Sequence, residues 1–259
     1  MDIWQPQPCS EGQGMHLQIG SLDLWVRQTN DEWQVATARG DERNEAVLDA
    51  AAPPPDADWR RWAVRLEGPR LKFTPLLPDR PVVVRPAAPF QILPGQEARF
   101  FVGMPTWVRL GVTGTDGKEL EICQEHTVQL SKSWFGTPQE GELCYALKTR
   151  ARRSLRELSQ AAHRAICPLV LRNGAAGTLD FQRLCLRTPH LALFKGERHL
   201  WTNEGRVTFK GEEALSHIDY GSGPPPFDGA SARIGEAREP PEKGLVSKTF
   251  GNLMAFAPF

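Results

Sequence analysis

The stretch FQILPGQEARFFVGMPTWVRLGVTGTDGKELEICQEHTVQLSKSWFGTPQEGELCYALKTRARR, residues 90–153, decides the fold because it is typical of successive β-strands separated by turns. Apolar side chains recur there at even-numbered positions, and a period of two indicates strands with one buried face. The members of this inward set are Phe100, Val102, Met104, Val108, Leu110, Val112, Leu120, Ile122, Val128 and Leu130. Pro105 interrupts the set, and because proline cannot donate to a β-ladder we expect a bulge or a sheet edge there.

The Asp-Gly pair at 116–117 predicts a hairpin turn within this stretch. A two-residue loop would place Val112 opposite a glutamate on one face of the sheet. A three-residue loop instead pairs Val112 with Leu120 and Leu110 with Ile122. We therefore predict the three-residue loop, with its glycine in the left-handed region as a G1 bulge.

The composition predicts a soluble globular protein. The chain has 259 residues, of which 40% are hydrophobic, and 31 basic residues balance 31 acidic ones. This neutral charge argues against bulk nucleic-acid binding, which requires a basic surface. No apolar run approaches the roughly 20 residues of a transmembrane helix, and the N-terminus lacks the pattern of a signal peptide. The five cysteines then favour reduced thiols and a cytoplasmic location.

Many short apolar runs between turn residues favour a mainly β fold, an antiparallel β-sandwich with one short helix and a flexible C-terminal arm. We expect one β-sandwich domain over residues 1–211, with two β subdomains meeting near residues 85–95 as the alternative. Residues 212–259 are expected to form a flexible proline-rich tail with an apolar end.

The best helix candidate is the segment 154–165. Ser154 can cap its N-terminus, and Glu157 stands three residues later, which completes a capping box. Residues 42–52 show weaker helical character. We interpret the segment 154–165 as a short crossover between strands.

Two cysteine–histidine spacings raise the question of a metal site. Cys123 and His126 have the Cys-x-x-His spacing, and Cys185 precedes His190 by five positions. Positions three apart on a strand face opposite sides, so Cys123 and His126 cannot chelate one ion without a bulge. We therefore predict no metal ion and no other cofactor.

A cysteine nucleophile is the second chemical hypothesis. Cys144 follows a Gly-Glu turn and precedes a basic strand that could lower its pKa, with His126 or His163 as a possible base. No nucleophile signature surrounds Cys144, and the phosphate-binding and Gly-x-Ser-x-Gly patterns are missing from the sequence. The prediction leans towards a protein that is not an enzyme.

Basic and aromatic residues supply a candidate binding surface. The basic set comprises Lys148, Arg150, Arg152, Arg153 and Arg156, and it could meet an acidic protein, RNA or anionic lipid. Trp25, Trp107 and Trp134 fall off the main apolar parity or in a loop, where exposed rings could stack on sugars or anchor a partner. The surface that we predict combines Trp107, Trp134, Lys148, Arg150, Arg152, Phe250 and Phe256. The alternatives are a solvated strand face and buried tryptophans.

The blocks Trp134-Phe135-Gly136 and 141–145, with FFVGMPTWVRLGV and LLPDRPVVVRP upstream, carry a resemblance. They resemble an uncharacterised prokaryotic family, first described in archaea, the domain of unknown function DUF432. The resemblance covers the chain to about Phe209 and brings no activity, so it implies no catalytic residue. The helical insert and the proline-rich tail are the parts that we least expect to be shared.

The leading functional hypothesis is a non-enzymatic binding or scaffold module that acts through protein contacts. Its expected partner is a protein, which could be membrane-associated and so allow peripheral membrane contact through the basic strand and the apolar C-terminus. The alternatives are a carbohydrate-binding or glycan-acting protein that uses exposed tryptophans, and a thiol- or metal-dependent enzyme centred on Cys144 or Cys123.

Overall fold

The computed structural model describes residues 2–9, 11–12, 14–29, 32–211, 215–240, 245–247 and 250. The described chain is mainly β, and its two helices are single 3₁₀ turns, Leu155–Glu157 and Thr188–His190. Neither turn has the length or the apolar character that crossing a membrane as a helix would demand, and the same holds throughout the described ranges.

The strands of the first half are β1 (Gln7–Pro8), β2 (Gly14–Thr29), β3 (Glu32–Asp49), β4 (Arg60–Ala63), β5 (Arg70–Leu76), β6 (Val82–Pro86), β7 (Phe90–Ile92), β8 (Glu97–Pro105), β9 (Trp107–Thr113) and β10 (Glu119–His126). Those of the second half are β11 (Ser131–Gly136), β12 (Gly141–Ala151), β13 (Arg164–Asn173), β14 (Leu179–Phe181), β15 (Leu184–Leu186), β16 (Leu193–Lys195), β17 (Leu200–Thr202), β18 (Gly205–Phe209), β19 (Ser216–Tyr220), β20 (Ala232–Gly235) and β21 (Leu245–Ser247).

The chain forms two compact units that interleave in sequence. The first unit contains Met1–Leu76, Pro105–Gln129 and Ala161–His163, and the second contains Leu77–Met104, Leu130–Gln160 and Arg164–Phe259. The chain therefore leaves the second unit and re-enters the first at Pro105, where the alternating pattern is interrupted.

The first unit packs two antiparallel sheets around one apolar core. One sheet has the strand order β1-β5-β9-β10 and the other β2-β3-β4. Side chains from both sheets contribute to the same core, among them Leu24 and Trp33 from the second sheet and Phe73 and Leu110 from the first. Two sheets that share a core in this way form a sandwich.

The β9–β10 hairpin confirms the predicted register at its loop end. Leu120 pairs with Val112, and Gly117 has a φ of 75°, the left-handed conformation expected of a glycine after the turn. The register then shifts between Glu121 and Cys123, so the partner of Leu110 is Cys123 and not Ile122. The predicted Leu110–Ile122 pair is therefore wrong, because a bulge adds one residue to β10 and ends the even parity there.

The second unit contains the remaining sheets. A four-stranded sheet has the order β11-β12-β6-β15, a two-stranded sheet pairs β14 with β7, and the largest has the order β20-β16-β17-β13-β18-β19-β21 with β8 also on β13. Phe101, Ile166, Phe194 and Trp201 form one apolar cluster of this unit. A separate cluster contains Val83, Phe135, Cys144 and Cys185.

Asp228 ties a loop of the second unit to β17. Its Oδ2 accepts hydrogen bonds from the backbone N–H groups of Arg198 (3.0 Å) and His199 (2.9 Å) and from Nε1 of Trp201 (3.1 Å). Burial alone would raise the pKa of the Asp228 carboxyl, but these donors outweigh burial and lower the pKa below its ordinary value. The residue has a φ of 53°, which aspartate and asparagine tolerate better than most side chains.

The helix predicted over residues 154–165 is wrong, and the weaker helical character of residues 42–52 does not produce a helix. Within residues 154–165 only one 3₁₀ turn forms, although Ser154 does accept a bond from the N–H of Arg156 (3.3 Å). The helix does not continue because later backbone groups have distant partners: the N–H of Ala162 donates to the carbonyl of Asn44 (2.7 Å). Residues 42–49 belong to β3, whose pairing with β2 overrides a weak helical propensity.

The structure also differs from the expected flexible arm over part of residues 212–259. β19 pairs with β18, β20 pairs with β16, and β21 pairs with β19, so this segment adds three strands to the largest sheet. Buried Ser216 and Ile218 alternate with less buried neighbours in β19, a short pattern that composition conceals. The predicted turn at 30–31 and most of the apolar end lie outside the described residues.

Gly20 and Gly117 both have positive φ, 60° and 75°, but only Gly20 faces a close neighbour. A Cβ at Gly20 would meet the carbonyl oxygen of Thr127 at 2.6 Å, whereas nothing lies within 4 Å of one at Gly117. We expect Gly117→Ala to lower the free energy of unfolding by about 1–2 kcal/mol, the cost of the left-handed backbone. Gly20→Ala should cost at least about 2 kcal/mol more because it adds overpacking. Equal losses in urea denaturation would contradict the close approach.

Asp228→Asn tests the carboxylate at the β17 loop. It should lower the free energy of unfolding at pH 7 by about 2 kcal/mol, since hydrogen bonds to a charged acceptor exceed those to an amide. The native pKa lies below the unfolded value, so this stabilisation is full above the unfolded pKa, about 3.9, and disappears as the pH falls through the native pKa. Denaturation curves at pH 7 and at acid pH measure both effects, with exposed Asp56→Asn as the control. A deficit that persists at acid pH would show that charge is not its cause.

Candidate functional site

The sheet β11-β12-β6-β15 brings together the reactive side chains of the candidate site. β12 runs parallel to β6, with Ala146 beside Val83, and β15 runs antiparallel to β6, with Cys185 beside Val83. Paired residues point to the same side of a sheet and neighbours along a strand to opposite sides. One face therefore carries Cys144 and Cys185 from two strands that are not themselves paired.

We define the cysteine cluster as Glu142, Cys144, Cys185 and Arg187. The Sγ atoms of Cys144 and Cys185 lie 3.6 Å apart, and Sγ of Cys185 lies 3.8 Å from Oε1 of Glu142. One ligand atom from each of these three residues lies within 4.8 Å of the others. Both thiols are buried, with exposed fractions of 0% for Cys144 and 1% for Cys185. Two soft donors and one hard donor thus converge on one point.

Arg187 supplies the positive charge of the cluster. Its guanidinium donates to Oε2 of Glu142, which leaves Oε1 facing the sulfurs. The hydrogen bond from Cys185 lowers the pKa of the Cys144 thiol, against burial, and the positive charge of Arg187 assists. The same hydrogen bond and burial raise the pKa of Cys185 well above its ordinary value. Cys144 is therefore the thiol that ionises first.

On the same face, Arg150, Arg85 and Arg183 occupy adjacent positions on neighbouring strands; we call them the arginine row. Arg150 pairs with Arg85 in the β12–β6 ladder. The β15–β6 register pairs Leu184 with Val84, which places Arg183 beside Arg85 one step further on. Burial, together with the charge of Arg85, lowers the pKa of Arg183. Within the described ranges no carboxylate lies within ion-pair distance of the exposed Arg85 and Arg150.

On the opposite face of the β11–β12 hairpin, one apolar pair is exposed. Trp134 on β11 pairs with Leu143 on β12, and their exposed fractions are 41% and 39%. The indole N–H of Trp134 donates to the carbonyl of Thr137 (2.9 Å), which fixes the ring. Among the described strands β11 pairs only with β12, so this pair lies at a sheet edge.

Two members of the predicted basic set contact other side chains, and three are exposed. Arg152 forms an ion pair with Glu157 (3.4 Å), and the guanidinium of Arg153 lies 5.1 Å from the ring centres of Phe90 and Phe100. Lys148, Arg150 and Arg156 are exposed. Arg150 is therefore exposed on the same face of the sheet as the buried Cys144, and the exposed basic charges are not all balanced.

The remaining members of the predicted surface belong to different units or lie outside the described residues. Trp107 is half-buried in the first unit, where its ring meets His126 edge-on at 4.3 Å, and Trp25 is buried against His16. Phe250 packs its ring on Phe209 at 5.2 Å in the second unit. Phe256 lies outside the described residues.

The histidines predicted as ligands or bases are used elsewhere. Cys123 is buried, which raises its pKa to about 12, and it does not join His126 in a cluster of ligand atoms within the described part of the chain. His190 lies 5.9 Å from the ring of Tyr220 and not against Cys185. Nε2 of His163 lies 3.0 Å from Glu42 in the first unit, whereas Cys144 belongs to the second.

Glu142, Arg85 and Arg183 are not among the predicted site residues, and no predicted contact joins Cys144 to Cys185. The available signals were the alternating spacings Glu142-x-Cys144 and Arg183-x-Cys185-x-Arg187, which place each set on one side of a strand. Nothing in the sequence indicates that β6 lies between those two strands.

A separate cleft of about 440 Å³ lies beside the turn Leu155–Glu157. Its walls include Leu158, Trp201 and Phe227, with Arg198 and His199 beside them. Burial lowers the pKa of His199. The carboxylate in the lining is Asp228, which already accepts the hydrogen bonds described above, so we assign no chemistry to this cleft.

The chain matches a protein family over most of its length. The family described as "Protein of unknown function (DUF432)" matches residues 3–255. The match thus includes the C-terminal segment that the resemblance was expected to leave out. No curated protein and no solved structure matches the chain significantly.

Repulsion within the arginine row predicts that removing one of its charges raises the free energy of unfolding. Like charges directly opposite in a sheet are destabilising, so Arg150→Gln should raise the free energy of unfolding by about 0.5 kcal/mol at low salt. The gain should shrink at high salt as the repulsion is screened. Arg152→Gln is the matched control, because Arg152 has an acidic partner in Glu157. Urea denaturation at two salt concentrations measures both; a loss of stability in Arg150→Gln would contradict the repulsion.

Proposed function

Because the chain belongs to the DUF432 family, whose function is unknown, we propose a function from the geometry of its own residues. We propose that it is a non-enzymatic binding module that captures an acidic segment of a partner protein on the arginine row. The observation that carries this proposal is the pair Arg85 and Arg150, held side by side in a β-ladder without a carboxylate among the described residues.

The chemistry of the row favours an anionic ligand. Guanidinium groups present planar donors that match carboxylate and phosphate oxygens, often through two parallel hydrogen bonds. The strands fix neighbouring arginines about 4.8 Å apart at the backbone. A chain of acidic side chains could therefore neutralise several guanidinium groups at once.

The position of the apolar pair favours a protein over a lipid surface. Trp134 and Leu143 lie on the face of the hairpin opposite to Cys144 and the row. A flat bilayer can contact one face of a sheet edge, whereas a protein partner can contact both. Aromatic side chains and arginines are also the residues that most often dominate protein interfaces.

A carbohydrate site built from tryptophans has less support. Trp25 is buried and Trp107 is half-buried, and neither lies in the unit that contains the exposed Trp134. One exposed ring at a sheet edge is a contact point and does not form an extended stacking platform.

The double variant Arg85→Gln/Arg150→Gln tests the binding proposal. Fluorescence anisotropy with a labelled hexaglutamate peptide should show binding by the wild-type protein that weakens with added salt. The double variant should bind at least about 10-fold more weakly, a change of about 1.4 kcal/mol. It should remain folded, because the two side chains are exposed.

The matched control is Arg172→Gln/Lys210→Gln, which removes the same charge from other exposed positions. Unchanged peptide affinity in the control supports the row as the site. Equal weakening in both double variants would show general charge attraction. Binding to vesicles that contain phosphatidylserine, without binding to the peptide, would replace the protein partner with a lipid surface.

A further inference from the structure

The cysteine cluster is independent of the peptide site and carries a different chemistry. We propose that Cys144, Cys185 and Glu142 bind a thiophilic divalent cation, Zn²⁺ in the first instance. The observation behind the proposal is the convergence of two sulfurs and one carboxylate oxygen within 4.8 Å on one face of the sheet.

The distances match the geometry that zinc requires. Two thiolates bound to zinc at about 2.3 Å in a tetrahedral site have their sulfurs about 3.8 Å apart. The Sγ atoms of Cys144 and Cys185 are 3.6 Å apart, and Oε1 of Glu142 is 3.8 Å from the second sulfur. The two sulfurs therefore already lie at about the separation of ligands on one zinc ion, and a carboxylate oxygen lies within 4.8 Å of both.

Glu142 has the arrangement of a supported metal ligand. Its Oε2 accepts a hydrogen bond from Arg187, while its Oε1 faces the sulfurs. A ligand carboxylate whose second oxygen is held by another side chain keeps its orientation when the metal arrives. Arg187 thus acts as a positioning residue and not as a ligand.

The exposure of the three donor residues indicates where a fourth ligand would bind. Both thiols are inaccessible, whereas the side chain of Glu142 is 31% exposed. The fourth position of a tetrahedral site would therefore lie on the side of Glu142, where water or another small ligand can reach it. Three protein ligands with one exchangeable position are typical of zinc sites that do more than hold a fold together.

The site joins two strands of the sheet that are not neighbours. Cys144 belongs to β12 and Cys185 to β15, and β6 lies between them. A metal bound to both cysteines would cross-link two strands separated by 32 residues of intervening chain, 152–183, between Ala151 at the end of β12 and Leu184 at the start of β15. Metal binding to the folded state alone then raises stability by mass action.

The test uses the full-length reduced protein after removal of metals with a chelator. Titration with Zn²⁺ against a fluorescent chelator should give about one tight site per chain, and Co²⁺ should give the sulfur-to-metal charge-transfer band of a thiolate site. Cys144→Ser and Cys185→Ser should each weaken zinc binding at least about 100-fold, and the isosteric Glu142→Gln about 10-fold, since ligand loss acts directly on affinity.

Cys167→Ser in the same unit and Cys123→Ser in the other are the matched controls, because each removes a buried thiol outside the cluster. Both should keep the zinc affinity of the wild-type protein. Absence of binding by the wild-type protein, or equal affinity in Cys144→Ser, would overturn the proposal. It would also be overturned if glutathione disulfide joins Cys144 to Cys185 while the reduced protein binds neither Zn²⁺ nor Co²⁺.

The cobalt spectrum of the unmutated protein does not depend on whether any variant folds. The two proposals are tested by different variants: Arg85→Gln/Arg150→Gln tests peptide binding, and the cysteine variants test metal binding. Absence of one activity from the wild-type protein, with the other present, identifies which proposal is wrong.

Discussion

Backbone pairing along β6 is the constraint on which the candidate site depends. This strand has a parallel neighbour, β12, on one side and an antiparallel neighbour, β15, on the other. Because its hydrogen bonds fix both registers at once, Val83 lies between Ala146 and Cys185. The proximity of Cys144 to Cys185 and the alignment of the arginine row both follow from those two registers.

An irregularity in one of these ladders has a chemical consequence. Between the pairs Ala146–Val83 and Arg150–Arg85, β12 advances four residues while β6 advances two. This local extra length changes which side chain stands beside Arg85. Bulges often re-aim a side chain near a functional site, and here the bulge places the guanidinium of Arg150, instead of the ammonium of Lys148, beside Arg85.

The two parts of the site are stabilised differently. In the cysteine cluster the charges are balanced, since Arg187 neutralises Glu142 and supports the thiol that ionises first. In the arginine row Arg85 and Arg150 repel each other, and exposure to water moderates that repulsion without removing it. A balanced buried cluster favours a small ligand held inside the protein. An unbalanced exposed pair favours an anionic surface that comes from outside.

Elements with strong local signals could be predicted from the amino-acid sequence alone. Alternating apolar residues in 100–112, and the glycine of the β9–β10 turn, identified strands and the register of Val112 against Leu120, because strand period and turn chemistry are local properties. A capping box at Ser154 was equally visible but produced only one 3₁₀ turn, since distant backbone partners decided the rest. Only the tertiary structure decided that Cys144 meets Cys185 and that Arg85 stands beside Arg150. Such pairings join residues far apart in the chain, and their register comes from hydrogen bonds between strands that no short-range pattern records.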